Sequence, residues 1–165
     1  MAATLNSNII KGSDLMIFVK DSSNAAGKVI GFATSCELSM SADATETSNK
    51  DSGNGWATSA VTKRSWTMSS ENMYAETVYT GEKTFANLFD AYANGTELTL
   101  VWSPTQNAGA ANRTPEVSDT SAGWVSTGTT YSGVGIVTSL SATASNDDNA
   151  TFSVEFTGVG PISKS

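Results

Sequence analysis

Apolar and polar side chains alternate with a period of two along most of the chain, which predicts half-buried β-strands. TFSVEFTG (151–158) is the clearest case, because Phe152, Val154 and Phe156 alternate with polar residues. The other segments with this pattern are KVIGFATSCELSMSA (28–42), KRSWTMSSENM (63–73), ELTLVWS (97–103) and GVGIVTSLSATAS (133–145). DLMIFVK (14–20) is apolar almost throughout, which is typical of a strand covered on both faces.

The alternation also assigns side chains to the two faces of each strand. Trp66 and Met68 fall on the same side of the segment 63–73. In 133–145 the pattern groups Ile136 with Leu140 and Ala142, opposite Val137. The segment 28–42 is long enough for two strands or one bent strand, and Gly31 predicts a bulge or bend within it.

TFANLFDAYANG (84–95) is the one segment with a helical period. Thr84 is a favourable N-cap and Gly95 a favourable C′ residue. Its apolar positions recur at i, i+3, i+4 and i+7. The residues of this stripe are Phe85, Leu88, Phe89 and Tyr92. A helix of about three turns is unstable alone, so we expect the whole stripe to pack on a sheet.

Two long segments show neither period. Residues 43–62 and 104–130 are polar and rich in Gly, Ser and Asn, and they contain Trp56 and Trp124 respectively. Loops this long are uncommon in compact domains and are usually functional or disordered. We therefore predict one domain over 1–165, with an N-terminal arm at about 1–12 and two long loops at 43–62 and 104–130 that a partner orders.

The composition favours a β-rich fold and argues against several partners. The 165 residues carry a net charge of −7, and the nine basic residues are scattered, which predicts no tight binding of nucleic acid. The N-terminal segment has no signal-peptide pattern, and no apolar run is long enough for a membrane span. Cys36 is a single cysteine within a predicted strand, which indicates a buried apolar role.

The sequence offers little to catalysis or to a bound cofactor. The chain contains no histidine, which removes the commonest general base and metal ligand. Asp147 and Asp148 are adjacent and flanked by Asn, as in a hairpin turn, and NKDSGNG lacks the ligand spacing of an EF-hand loop. GVG at 133–135 and at 158–160 lies in or beside strands rather than before a helix. We predict no enzyme activity, no cofactor and no metal site.

The outward positions of four predicted strands share an unusual composition. They carry short hydroxyl side chains, and the charged residues among them are Glu, apart from Lys63 at a strand end. These positions are Ser35, Glu37, Ser39, Ser41, Ser65, Thr67, Ser69, Glu71, Ser139, Ser141, Thr143, Ser153, Glu155 and Thr157. An ordinary solvent-facing sheet mixes Lys and Glu more evenly. A specialised surface and chance in a Ser/Thr-rich chain both explain the pattern.

The succession of segments resembles the major tail protein, or tail tube protein, of long-tailed bacteriophages. The most specific pieces are SADATETSNKDSG with a following Trp, and the closing NDDNATFSVEFTGVGP. The resemblance covers nearly the whole chain and implies a mainly β fold. It implies a β-sandwich or partial β-barrel subunit, with one short helix packed on the sheet, that contributes strands to a barrel shared between subunits.

The resemblance also implies function and partners. Six copies would form a ring, and rings would stack into the tail tube of the virion, assembled in the host cytoplasm, through which double-stranded DNA passes without tight binding. Other expected partners are the tape measure, terminator and distal tail proteins, and no membrane is expected. Under this interpretation the candidate lumen-facing residues are Glu37, Ser39, Ser41, Glu71 and Glu155. The candidate contacts between subunits or rings are Asp43, Glu46, Lys50, Asp51 and Trp56.

One alternative remains open at this point. Ser/Thr/Gly-rich strands with exposed Trp56 or Trp124 would also suit an immunoglobulin-like or carbohydrate-binding β-sandwich of an adhesin, in which aromatic rings stack on sugars. Assembly into rings or filaments distinguishes the tube from the adhesin, because the adhesin module has no need to oligomerise.

Overall fold

Seven strands and one α-helix make up the part of the chain that the computed structural model describes, which is residues 10, 12–21, 24–51, 55–76, 82–105, 126 and 128–165. The strands are β1 (Leu15–Asp21), β2 (Asn24–Val29), β3 (Ala33–Glu46), β4 (Ser59–Met73), β5 (Leu98–Pro104), β6 (Tyr131–Thr143) and β7 (Thr151–Lys164). Helix α1 spans Phe85–Asn94, and a 3-10 turn at Gly12–Asp14 precedes β1. The predicted N-terminal arm and the predicted loop 104–130, with Trp124, lie almost entirely outside these residues.

All seven strands belong to one antiparallel sheet in the order β2-β1-β5-β6-β7-β4-β3. The sheet curls until the start of β3 approaches β1, where Cys36 packs against the core cluster that contains Ile17. Inward residues of both halves then meet in one core. The prediction of a mainly β subunit with one short helix is confirmed.

The larger core lies inside the curl. Met68, Leu100 and Phe156 are fully buried there, together with Leu88 of the helix. A smaller cluster on the other face of β1, β2 and β5 is formed by Phe18, Val29 and Val101. Strand β1 is thus buried on both faces, as its unbroken apolar run predicts.

The segment 28–42 contains the end of one strand and most of the next. Gly31 and Phe32 form the turn between β2 and β3, and Phe32 has a φ of 53°. The amide of Gly31 donates to the carbonyl of Lys83 at 3.0 Å, and the amide of Lys83 donates to the carbonyl of Val29 at 2.8 Å. This tie to the segment before α1 fixes the break between the strands.

The predicted loop 43–62 is wrong at both ends. Strands β3 and β4 continue as a paired hairpin to Glu46 opposite Ser59, and the amide of Thr47 still donates to the carbonyl of Thr58 at 2.7 Å. Only residues 47–58 connect the strands, with 52–54 outside the described residues. Polar residues on both faces concealed these strand ends, because the paired hairpin is exposed on both sides there.

Helix α1 begins and ends where its caps predict, but it is rotated relative to the prediction. Thr84 and Asn87 form a capping box, and Gly95 closes the helix with a φ of 60°. Leu88 and Ala91 are buried, whereas Phe89 and Tyr92 are 52% and 51% exposed. The expectation that Phe89 and Tyr92 pack on the sheet of their own chain is therefore wrong.

A β-bulge in β6 overturns the predicted facing of Ile136. The register with β7 shifts between Val137 and Ser139, so Thr138 is an extra residue. Val137 therefore faces the core together with Leu140, while Ile136 lies on the opposite face. A bulge shifts the two-residue period by one, and simple alternation misassigns the residues before it.

Candidate functional site: the hydroxyl face and the projecting hairpin

The four strands with hydroxyl-rich outward positions lie side by side as β6-β7-β4-β3. Their registers align these residues in rows across the strands, because directly paired residues point to the same face. The rows are Ser139–Glu155–Ser69–Glu37, Ser141–Ser153–Glu71–Ser35 and Ile136–Thr157–Thr67–Ser39, followed by Ser65–Ser41. We call this surface the hydroxyl face; it includes all five candidate lumen-facing residues.

Hydroxyl groups on this face bond to each other across the strands. The Oγ atoms of Ser141 and Ser153 are 2.7 Å apart, and those of Ser41 and Ser65 are 2.8 Å apart. Ser35 donates to a carboxylate oxygen of Glu71 at 3.4 Å. These short side chains satisfy one another close to the backbone, so the face is polar yet low in relief.

The charge on the hydroxyl face is negative. Glu37, Glu71 and Glu155 are exposed, and no basic residue occurs in the rows defined above. Glu37 and Glu155 share a row two strands apart, which corresponds to about 9.5 Å. Lys63 lies beyond the last row, opposite Asp43. A polyanion near this face therefore meets repulsion rather than a binding site.

The four-strand unit has an unpaired edge on each side. Among the described residues, β3 pairs with β4 alone, and β6 pairs with β5 only from Tyr131 to Gly135. The remainder of β6, Ile136–Thr143, therefore has a partner on its β7 side only. Long unpaired edges invite pairing with another chain. The four-strand unit is suited to extension by further copies.

The hairpin of β3 and β4 projects beyond the rest of the sheet. It brings Asp43, Glu46, Lys50, Asp51 and Trp56 to one exposed extension, and the Trp56 side chain is 80% exposed. The amide of Asp51 donates to the Asn49 side chain at 2.8 Å, which shapes the turn. The indole therefore lies almost wholly in solvent in the single chain.

Sequence reasoning missed the support beneath the hydroxyl face. The Trp66 indole donates to the carbonyl of Gly160 at 3.0 Å. It lies flat against glycines of β6 and β7, where a Cβ on Gly133 would be 2.5 Å from the ring and one on Gly158 would overlap it. The two GVG motifs are the sequence feature that could have indicated this packing, since a strand glycine often marks close approach of another group.

Cys36 is half-buried at the junction of β1 and β3. Burial raises the pKa of its thiol, and contacts with the Ser70 side chain and the Ile17 backbone oppose that shift in part. The thiolate form is thus disfavoured.

In the described part of the chain, no three Cys, Asp or Glu side chains come together as metal ligands. The NKDSGNG segment falls partly outside the described residues. Likewise, no described helix has the length and apolar character needed to cross a bilayer.

The fold and the hydroxyl face together define a single antiparallel sheet with a polar, acidic face and open edges. The chain belongs to the phage tail tube protein family, since the family model "Phage tail tube protein" matches residues 9–164. It is a structural protein of the virion tail. The alternative of an adhesin module is set aside.

Solved structures share the fold at low sequence identity. A chain from the tail of an empty gene transfer agent particle, refined with C6 symmetry, has a TM-score of 0.69 at 15% identity, covering 95% of this chain and 99% of that one. The SPP1 tail tube has a TM-score of 0.63 at 12% identity, covering 94% and 78%. The baseplate of the anti-feeding prophage gives 0.60 at 8% identity, covering 98% and 97%. No curated protein sequence matches the chain.

Proposed function

We propose that six copies of this chain close into a ring, and that stacked rings form the conduit through which the phage genome enters the host. The observation that carries the proposal is the four-strand unit β6-β7-β4-β3, with its hydroxyl face and two open edges. The C6 symmetry of the gene transfer agent tail, whose subunit shares this fold, supports the number six.

The strand directions explain how the ring closes. Because neighbouring strands of the unit alternate in direction and their number is even, β3 runs antiparallel to β6. The open edge of β3 in one copy then pairs antiparallel with Ile136–Thr143 of the next. Six units give a closed barrel of about 24 strands, well above the 16–18 that already leave an aqueous channel. Closure also removes the exposed edges.

The hydroxyl face lines the channel in this arrangement. The opposite face of the same strands is occupied by the core and α1, so only the hydroxyl face is free to border a lumen. Glu37, Glu71 and Glu155 repel phosphate, while the short hydroxyl groups leave nothing to obstruct a moving duplex. DNA therefore passes without tight binding, and the chain itself performs no catalysis.

The projecting hairpin provides contacts between rings. Asp43, Glu46, Lys50, Asp51 and Trp56 lie far enough from the core to reach a second subunit, and their exposure in the single chain leaves them available. The tape measure, terminator and distal tail proteins are the further partners that a tube of this kind requires inside it and at its two ends.

Assembly of purified protein tests the proposal. We expect electron microscopy to show six-fold rings and tubes; a strict monomer at high concentration would contradict it.

Reversing Glu46 and Asp51 to Lys should weaken stacking while leaving the fold intact, because both side chains are exposed. The matched control is Asp90→Lys with Glu97→Lys, which makes the same change in charge at exposed positions on α1 and just before β5. Unchanged tube formation by the hairpin variant would exclude these residues from the ring contact.

A further inference from the structure

The sheet forks at one end, between β4 and β7. These strands pair only as far as Thr67 opposite Thr157. Beyond that point β4 follows β3 alone and β7 follows β6 alone. Gly160, with a φ of 85°, allows β7 to bend away from its neighbour. A groove of about 840 Å³ lies between the two branches.

The groove combines a firm floor with a basic rim. Its floor is the buried Trp66 ring, held against Gly158 and bonded to the carbonyl of Gly160. Lys63 and Arg64 line it and are exposed. Asp43 lies opposite Lys63 and offsets part of its charge, whereas the residue opposite Arg64 is Ala42. Lys63 and Arg64 are consecutive in β4, so their side chains leave opposite faces of the strand and reach the groove from its two sides.

Apolar side chains flank this basic rim. Met40 lines the groove and is 59% exposed, and Pro161 and Ile162 line it from the β7 branch. The groove therefore suits an acidic turn with apolar neighbours. An isolated anion would match the charge but leave Met40 uncovered.

The opposite end of the same sheet carries an acidic turn with apolar neighbours. The turn between β6 and β7 exposes Asp147 and Asp148, and it is closed by a bond from the Asp148 amide to the Ser145 carbonyl at 3.4 Å. Next to it, Met73 and Tyr74 are 44% and 39% exposed. The amide of Tyr74 donates to the carbonyl of Ala150 at 2.8 Å, which joins the turn to this apolar patch.

The turn and the groove of one chain lie too far apart to meet. Strand β7 runs from the turn at Thr151 to the groove at Pro161, and ten residues of strand span about 33 Å. Contact is possible only between two copies arranged head to tail. A head-to-tail contact that does not close on itself produces an open stack.

We propose that the Asp147–Asp148 turn of one copy seats in the Lys63–Arg64 groove of a copy in the next ring. This rests on the proposed function and specifies one contact by which rings stack. It places complementary charges, each with adjoining apolar surface, at the two ends of every subunit. All subunits then stack in one direction, because the acidic turn of one copy meets the basic groove of the next, whereas two turns placed together bring like charges into contact.

Charge exchange tests the contact. The variants are K63E/R64E, D147K/D148K and the quadruple variant that carries all four changes, with D90K/E97K as the control for altered net charge. We expect each double variant to form rings but to require about tenfold more protein for tubes, because like charges then face each other. The quadruple variant restores opposite charges and should regain tube formation, while D90K/E97K should stack as the unchanged chain does.

Several outcomes would overturn the contact. Normal stacking of either double variant would do so, and so would a quadruple variant that forms rings yet stacks no better than the double variants. Circular dichroism identifies any variant that fails to fold, and neutral K63Q/R64Q and D147N/D148N variants then take its place, with weaker stacking expected of both. If the unchanged chain forms neither rings nor tubes, the proposed function itself is wrong and the contact with it.

Discussion

Single residues in this subunit decide how closely its strands approach. The large Trp66 ring fits under the hydroxyl face only because β6 and β7 present glycine to it, at Gly133 and Gly158. The Trp66 ring and the glycines of the neighbouring strands therefore form one packing unit. Neither the ring nor the glycines can change size alone without a cost to packing.

Gly158→Ala should therefore destabilise the fold. The new Cβ overlaps the Trp66 ring, which is buried and bonded to Gly160, so the strands must shift. We expect a loss of about 1–3 kcal/mol in the free energy of unfolding, the usual effect of overpacking. Urea denaturation measures it. Gly12→Ala is the matched control, because a Cβ there meets nothing within 4 Å; equal effects of the two changes would contradict the packing argument.

Cys36 should make stability depend on pH in the alkaline range. Burial raises the pKa of its thiol in the folded chain, so the unfolded chain loses the proton first as pH rises. The contribution of the thiol to the free energy of unfolding is complete below the ordinary thiol pKa of about 8.5. It is lost as the pH rises through the higher pKa of the thiol in the folded chain. Unfolding measured between pH 7 and 10 should show a smaller decline for Cys36→Ala than for the unchanged chain. Identical declines would show that this thiol does not contribute.

At the scale of elements, helix α1 shows that position in a stripe does not determine which side chains are buried. Four apolar residues form its stripe, but the buried face is centred on Leu88 and Ala91. Phe89 and Tyr92 remain half exposed in the single chain. The neighbouring strand β6 and the core beneath it set the rotation of the helix, and these are remote in sequence.

Leu88→Ala and Phe89→Ala should differ sharply in effect, although the residues are adjacent. Removing the buried Leu88 side chain leaves a cavity and should cost about 2–5 kcal/mol. Phe89 is 52% exposed, and its removal from the isolated subunit should change stability by no more than about 0.5 kcal/mol. Thermal unfolding of the unassembled protein compares the two. A large loss with Phe89→Ala would mean that the helix packs on the face that the sequence predicts.

The elements that the sequence predicted are those in which burial and polarity alternate. Phe152, Val154 and Phe156 alternate with exposed or half-buried residues and were placed correctly. The bulge at Thr138 was not predictable, because Thr in a strand looks the same with or without an extra residue. The outer parts of β3 and β4 were missed for a related reason: an exposed ladder needs no apolar residue to form. The packing of Trp66 on Gly133 and Gly158 was also missed, because it depends on contacts between residues of different strands.

At the scale of the whole molecule, one sheet serves two environments. One face of strands β6, β7, β4 and β3 covers the core, and the other face is the hydroxyl face. The hydroxyl groups bond within the sheet, so the face presents few strong donors to a passing phosphate. The sequence predicted which residues belong to this face, since its period of two is nearly unbroken. It left open what the face meets, because that depends on other copies of the chain.

Reversing the charge of the hydroxyl face should turn a channel that releases DNA into one that retains it. Glu37 and Glu155 share a row, and replacing both with Lys leaves Glu71 as the one acidic residue of the rows and adds phosphate contacts in every subunit. We expect assembled tubes of this variant to retain short duplex DNA, protected from nuclease and released as salt rises from 50 to 200 mM. The Asp90→Lys, Glu97→Lys variant makes the same change in charge away from the hydroxyl face, so DNA bound to it should be digested. Equal nuclease sensitivity in the two variants would show that the hydroxyl face does not line the channel.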